Sequence, residues 1–457
     1  MPTIKVTLSS FTSNNLKPNK LIFFQTKRVF RKFLFLIPNL IGIFFSPLFV
    51  LLIRVIRPII LVRYALILTT RIGHFTENLD LYLSFKEYNL HNSDLKNYKK
   101  KIINIFYCQE DISNKFFFKM LKKKIIILPR FILHWVEQFD SYLDRYSDSE
   151  RIHETGCYKK INPKTFHSKY PPYIQRDIDG LHNTTKPNFE FTPSEIAYGN
   201  KKLKKLGIKL EKKIVCIYAR DSEYLKNTYP KIDWSHHNYR DFDINLFKEA
   251  VYYLIKNNYF VIRVGSVTNK KLEIESDNFL DYSFSGEVSD FLDLYLPFKC
   301  SFFISTSSGI DGFPGIFRKP ILWPSLFPLK DIKSSKIDHM ASFRHLKFKE
   351  SGRKLTMKEV INLNLDYCYD TKDLEKKNVA LCEPTPEEIK AATKDMVEFL
   401  ENKYINNSEI ISNNKKFTEP FKNSKMMFKE TVPYHNPNEI NFTVSKSFLE
   451  NNSWWLK

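Results

Sequence analysis

The chain has 457 residues, of which 26% are charged and 43% hydrophobic, and its net charge is +21. It is too long for one ordinary domain and too apolar for a disordered polymer. A basic surplus of this size favours an anionic partner such as a membrane surface or a nucleotide, although Lys, Asn, Ile and Phe are all abundant and part of the surplus is compositional. Only 12 glycines argue against glycine-rich phosphate loops. Six scattered cysteines without a CxxC pair read as reduced, structural thiols of a cytoplasmic protein. No metal motif of the HExxH or Cys/His type is present, and no basic-aromatic or zinc module points to nucleic acid.

Residues 1–57 form a basic and apolar segment. From Phe33 to Ile53 run 21 consecutive uncharged residues, enough as a helix to span roughly 30 Å of bilayer. Pro38, Gly42 and Pro47 interrupt the run, and basic residues stand on both flanks. That pattern predicts a broken apolar hairpin dipping into the cytoplasmic leaflet. The protein is then peripheral or monotopic on the cytoplasmic face of the inner membrane. Residues 58–195 read as an N-terminal α/β lobe. Its strands are expected near 59–68, 102–107 and 124–129, with helices after Arg71-Ile72-Gly73-His74 and over 114–122. Residues 150–195 read as a long loop.

Residues 196–380 read as a second α/β lobe. Continuous apolar runs at 214–218, 259–264, 279–284, 302–304 and 320–323 predict five strands buried on both faces of a parallel sheet. Asp243 caps a helix whose positions Ile244, Phe247, Val251, Leu254 and Ile255 share a face. In residues 381–457, Thr385 caps an amphipathic helix over 385–402, a loosely ordered stretch follows over 405–440, and Trp454-Trp455-Leu456 dock back.

In a doubly wound sheet, ligands bind outside the carboxyl ends of the strands. Those ends present Arg220-Asp221-Ser222, then Arg263 and Gly265, then Ser305-Thr306-Ser307-Ser308-Gly309. Arginine forks match phosphate geometry, and a hydroxyl-rich turn opening a helix offers donors to an anion. Taken in isolation that turn is better explained as an unliganded Ser/Thr cap, and it is the neighbouring strand ends that favour an anion site; Arg220 and Asp221 can also pair with each other. Asp241-Phe242-Asp243 has the spacing of a metal-binding pair, but a helix cap explains Asp243 better.

The segments Tyr218-Ala219-Arg220-Asp221-Ser222-Glu223-Tyr224-Leu225, Tyr239-Arg240-Asp241-Phe242-Asp243-Ile244 and Tyr259-Phe260-Val261-Ile262-Arg263-Val264-Gly265 resemble a family of bacterial surface-polysaccharide glycosyltransferases. So do the turn 305–309, Pro314, Lys319-Pro320 and, upstream, Arg71-Ile72-Gly73-His74. The resemblance covers roughly residues 60–400 and is most specific over 210–325. One departure is Asn258, where a glycine usually stands. The resemblance implies two Rossmann-like lobes of the GT-B type, with the N-terminal lobe on the acceptor side and the C-terminal lobe holding a nucleotide-sugar. It implies no metal and no cofactor beyond that donor, and an acceptor that is a surface glycan or lipid-linked. His74, Arg220 and Asp221 become the candidate catalytic residues, His74 as a base with a pKa near working pH. Arg71, Gly73, Ser222, Tyr224, Arg263, Gly265 and Ser305 to Gly309 become candidate donor-binding residues. A fucosyltransferase-like or nucleotide-sugar-modifying enzyme, or a non-catalytic membrane scaffold, would share the same lobes.

Overall fold

The computed structural model describes residues 18–87, 101–109, 111–143, 177, 181–223, 226, 233–331, 338–366, 368–401, 412, 415, 417 and 443–456. In chain order come α1 (Pro18–Ile56), β1 (Ile60–Ile67), α2 (Ile72–Glu87), β2 (Lys101–Cys108), α3 (Lys115–Leu121), β3 (Ile126–Ile127) and α4 (Arg130–Leu143). Next are α5 (Pro193–Lys205), β4 (Lys213–Tyr218), α6 (Lys248–Lys256), β5 (Tyr259–Arg263), β6 (Phe279–Asp281) and α7 (Asp290–Lys299). The chain continues with β7 (Phe302–Ser305), β8 (Ile321–Leu326), β9 (Met340–Phe343), β10 (Leu346–Phe348) and β11 (Val379–Leu381). It ends with α8 (Pro386–Leu400), β12 (Thr443–Val444) and α9 (Lys446–Asn451). Two compact units result. The first comprises Met1–Leu66, Lys100–Cys108 and Ile126–Thr155, and the second Ile67–Lys99, Gln109–Ile125 and Gly156–Lys457.

The first unit joins a three-stranded sheet, ordered β1-β2-β3, to the helix pair α1 and α4. The expected hairpin does not form: α1 is one helix of 39 residues that runs through Pro38 and Pro47. An internal proline normally leaves the carbonyl four residues earlier without its donor. Here Ser46 Oγ donates to the Ile43 carbonyl at 3.0 Å, the acceptor that Pro47 abandons. Gly42, Ser46, Val50 and Ile53 form a buried stripe at helical spacing. Val50 and Ile53 pack with Leu133 and Val136 of α4. A Cβ on Gly42 would lie 1.7 Å from the Phe131 carbonyl oxygen, so the helices touch there through bare backbone. Trp135 Nε1 donates to Asn39 Oδ1 at 3.1 Å. Asp140, 1% exposed, takes Arg54 at 2.5 Å and the Tyr64 hydroxyl, which ties α1, α4 and β1 together.

The second unit is a seven-stranded sheet ordered β12-β9-β8-β7-β4-β5-β6, parallel throughout. Five of these strands are the apolar runs expected from sequence. From β6 to β9 the order is that of a doubly wound dinucleotide-type sheet, with the first strand, β4, beside the fourth, β7. Val215 and Ile217 face a core shared with Val251 of α6 and Ile389 of α8. Ile214 and Cys216 alternate to the other face and are buried too, which is why these strands read as unbroken apolar runs. Asp243 caps the helical turn Ile244–Phe247 that leads into α6, and Asn258 leaves α6 at φ 63°. Thr385 and Glu388 form a capping box on α8. In the terminal segment Trp455 is 1% exposed and packs beside Phe343 of β9. The stretch expected to be loose, 405–440, lies outside the described residues apart from 412, 415 and 417.

Arg263 does not reach the sheet edge. It is 1% exposed and bonds Asp281 of the neighbouring strand at 3.1 Å, while Asp281 also accepts from the Leu272 amide at 2.9 Å. Its expected role at an anion site is therefore replaced by a strand-to-strand ion pair. Asp281→Ala should cost about 3–5 kcal/mol because it strands a buried guanidinium, whereas the paired change Arg263→Met with Asp281→Leu should cost far less. Urea unfolding measures both, and a loss below about 1 kcal/mol for the single variant would show that the pair does not hold this edge.

Candidate anion site at the sheet switch point

Between β4 and β7 the onward connections leave in opposite directions, and the crevice outside such a pair is the preferred ligand position in open α/β sheets. The two loops that leave these strands are tied together: the Arg220 amide donates to Thr306 Oγ1 at 3.0 Å. The turn after β7 is built on Asp311, which is 2% exposed. Ser305 Oγ donates to its Oδ1 at 2.5 Å, and Trp323 Nε1 and the Ser308 amide donate to its Oδ2 at 2.8 and 3.3 Å. Ser305 and Thr306 are buried and serve the turn itself, so they are not open donors as expected. Ser307, at φ 58°, Ser308 and Gly309 reach the surface. Behind them the helix is short, a 3-10 turn over Gly309–Asp311 and then Gly312–Ile316. Its dipole is correspondingly small, and most of the attraction for an anion has to come from side chains.

The start of α2 lies against this turn, inside the same unit. A Cβ on Gly73 would stand 2.8 Å from Gly309 Cα, and one on Gly312 would stand 2.0 Å from Thr76 Oγ1. Two segments far apart in sequence thus meet backbone to backbone. Asp80 of α2, buried, holds Arg318 at 2.5 Å and His182 at 3.0 Å, fixing the helix beyond the contact. Arg71 and His74 are delivered to the switch point by this packing.

Around them stands a cluster that the sequence reading named only in part. The Arg71 guanidinium lies 5.0 Å over the Trp234 ring, and Trp234 stacks on His236 and His237. Arg220 bonds Asp241 and the His237 carbonyl, the latter at 3.2 Å. Arg240 Nε donates to the Tyr239 hydroxyl at 2.8 Å. Burial and then the charges of Arg71 and Arg240 pull the His74 pKa down to about 4. Burial, followed by Arg240, His236, Arg220 and Arg71, pulls His237 down to about 3. Arg71 and Arg240 therefore act on both imidazoles, and Arg220 acts on His237 as well. His237 Nδ1 is buried with no hydrogen-bond partner among the described residues. The expectation that His74 titrates near neutrality is corrected: it is a neutral imidazole, and a weak base until something anionic offsets the arginines.

The remaining candidates fall in different places. Asp221 accepts from the Glu223 and Asn269 amides at 3.1 and 3.0 Å, joining the loops after β4 and β5, and does not pair with Arg220. Ser222 lies in that same loop, half-buried. Gly265 sits at φ 136°, a conformation that favours glycine, with Tyr218 and Ser283 close to it. Tyr224 lies outside the described residues. Asp243 accepts from the Asn245 amide and from Lys270, at 3.0 and 3.1 Å, as a cap does. Burial raises the Asp241 pKa even beside Arg220. Among the described residues no group of three His, Cys, Asp or Glu side chains is placed to hold a metal ion. Trp234, His237 and Asp311 were missed from sequence. Arg240 was visible only as part of a recurring motif, and Asp241 as part of that motif and of a metal-like spacing with Asp243.

No protein-family model matches the sequence, and no curated protein matches it significantly. Two solved structures share part of the architecture. One is E. coli ADP-heptose LPS heptosyltransferase II, at 11% identity and a TM-score of 0.36, over 74% of this chain and 99% of that one. The other is a glycosyl transferase family 9 protein from Veillonella parvula, at 9% identity and a TM-score of 0.34, over 57% and 79%. Likeness at that level carries no argument about activity.

The glycine contact can be tested. Gly73→Ala should destabilise the second unit by about 1–3 kcal/mol, because the clash is with backbone that cannot rotate away. Gly315→Ala, where nothing stands within 4 Å of the added carbon, is the neutral control. Equal melting temperatures for the two variants would show that the Gly73–Gly309 contact does not hold the unit together. The histidines set a pH dependence. Their folded pKa values, about 4 and about 3, lie below the unfolded value of 6.5, so the unfolded chain binds more protons between them. Stability should hold above pH 6.5 and fall as pH drops toward 4 and 3. His74→Gln should flatten the upper part of that decline in denaturation midpoints measured across the range.

Proposed function

We propose that the chain is a metal-independent glycosyltransferase that moves a sugar from a nucleotide-sugar donor to a surface-glycan or lipid-linked acceptor, working at the cytoplasmic face of a membrane. The observation that carries this reading is the convergence of Arg71, Arg220 and Arg240 with the Ser307–Gly309 rim at the switch point of a doubly wound parallel sheet. The motif resemblance of segments 218–225, 239–244 and 259–265 supports it.

The chemistry follows from the charge. An acceptor hydroxyl attacks the anomeric carbon, the bond from that carbon to the diphosphate oxygen breaks, and the electron pair leaves with the diphosphate. Guanidinium groups fixed in advance stabilise the charge that gathers on the leaving group, which is the task a metal performs elsewhere. The acceptor proton goes to His74 Nε2 or Nδ1. The donor's own phosphates oppose Arg71 and Arg240, so the imidazole becomes a stronger base when the substrate is bound. A non-catalytic scaffold has no use for such a device.

A thermal-shift panel of UDP-, GDP-, ADP-, CMP- and dTDP-sugars on the purified protein identifies the donor class, since a ligand of the folded state raises the melting point. Arg71→Ala should weaken that donor by roughly ten- to a hundredfold, the worth of a charge-assisted hydrogen bond, with a folded protein whose unliganded melting point shifts only by the loss of its contact with Trp234. Arg220→Ala should lower the unliganded melting point as well, because it leaves Asp241 half-buried without its partner. Transfer should survive EDTA. A stabilising ligand in none of the five classes, or turnover that needs Mg²⁺ or Mn²⁺, would overturn the reading.

A further inference from the structure

We infer that α1 lies along an anionic lipid surface as a one-sided insertion and does not cross the bilayer. Three observations carry this independently of the transfer reaction.

The first is the exposed face of α1. Over Ile37–Ile56 the helix is apolar enough to span a membrane, yet only 22% of that window is buried in the protein. The unburied side chains are not scattered. Leu40, Phe44, Leu48, Leu51 and Val55 recur every three or four residues on one side, 55–79% exposed. That stripe lies opposite the Gly42, Ser46, Val50 and Ile53 stripe, and nothing among the described residues covers it.

The second is what the other side of the helix carries. The stretch from Asn39 to Arg54 is held by α4, through Trp135 at one end and Asp140 at the other. α4 brings Arg130, Glu137 and Gln138, of which Arg130 and Gln138 are exposed. Val62 and Tyr64 of β1 and Tyr107 of β2 share the same core. If α1 crossed the membrane, these would be carried to bilayer depth. Each charge there costs about 2.5–3.5 kcal/mol, and an open three-stranded sheet in hydrocarbon leaves edge amides and carbonyls with no partner at all. Insertion from one side meets neither cost, because α4 and the sheet stay on the water side while the stripe sinks roughly 5–10 Å into the headgroup boundary.

The third is charge. Residues 1–66 contain five lysines, five arginines and no Asp or Glu, and the first acidic residue is Glu77; of the arginines, Arg54 is paired with Asp140 and Arg63 is buried, so the attraction rests on the remaining basic residues. Each basic group near an anionic surface adds about 1 kcal/mol of attraction. An uncharged bilayer offers the stripe its apolar face but gives this segment no electrostatic pull. A second copy of the chain is disfavoured as the covering partner, since two such segments repel.

The test uses the full-length protein purified in detergent and dialysed against vesicles. It should float with phosphatidylcholine vesicles that contain phosphatidylglycerol, float weakly with phosphatidylcholine alone, and be partly released by high salt through screening. Phe44→Glu with Leu48→Glu should abolish flotation. Both positions are exposed, so the thermal melt should be unchanged, and the comparison of lipids on the unaltered chain does not depend on the variant. In inside-out membrane vesicles, epitope tags at Met1 and at Lys457 should both be cut by added protease. Protection of the Met1 tag alone would show a crossing helix and overturn the inference. Equal flotation with both lipids, or a stable dimer that ignores vesicles, would overturn it as well.

Discussion

Gly73 and Gly309 meet where any side chain would collide with backbone, and the arrangement of the second unit depends on that contact. Two glycines allow the first turn of α2 to rest on the turn after β7. Because they do, Arg71 and His74 stand beside the ends of β4 and β7 although they belong to a segment that precedes the sheet by more than a hundred residues of chain. Asp80 then locks α2 through Arg318, and Asp311 locks the turn through Ser305 and Trp323. A close backbone contact bounded by two buried carboxylates is stiff, so the position of Arg71 and His74 is fixed before any ligand arrives.

Arginine serves two opposite purposes in this chain. Arg263 is sealed in the sheet against Asp281, and Arg54 is anchored to Asp140. These pairs hold elements together and leave no charge for a ligand. Arg71, Arg220 and Arg240 instead stand beside imidazoles that burial keeps neutral and that these charges push down further. Arg220 stands between the two classes, since it pairs with Asp241 while its positive field still reaches His237. Counting arginines at strand ends does not separate these uses. The identity of the neighbouring strand's residue, Asp281 in β6, decides the matter for Arg263.

Much of the architecture is legible in the residues. Continuous apolar runs mark five strands of the large sheet, because strands covered on both faces need no polar alternation. Thr385 with Glu388 and Asp243 mark helix starts by capping chemistry. Met340–Phe343 and Thr443–Val444 are not legible, because strands of four and two residues are too short to display a period. The unbroken α1 is hidden by its prolines, and the compensating Ser46 is visible only once the helix is drawn. At the site, the motif segments and the switch-point rule point to the ends of β4 and β7, where Arg71, His74 and Arg220 gather. What they cannot tell is which hydroxyls are consumed internally: Ser305 and Thr306 look identical to Ser307 and Ser308 until Asp311 and the Arg220 amide claim them.

The far edge of the large sheet is closed by β12, which pairs with β9 in parallel. During synthesis β9 emerges long before its partner, and at about 5–20 residues per second the intervening roughly one hundred residues take some 5–20 s to make. For that interval the growing chain displays an unpaired strand edge, the feature through which nascent polypeptides associate with one another. β9 is only four residues long and is followed at once by Arg344 and His345, and an edge that is short and flanked by polar groups is a poor template. The brevity of this strand therefore acts as protection during biogenesis, and the docking of Trp455 beside Phe343 is the step that makes the protection unnecessary.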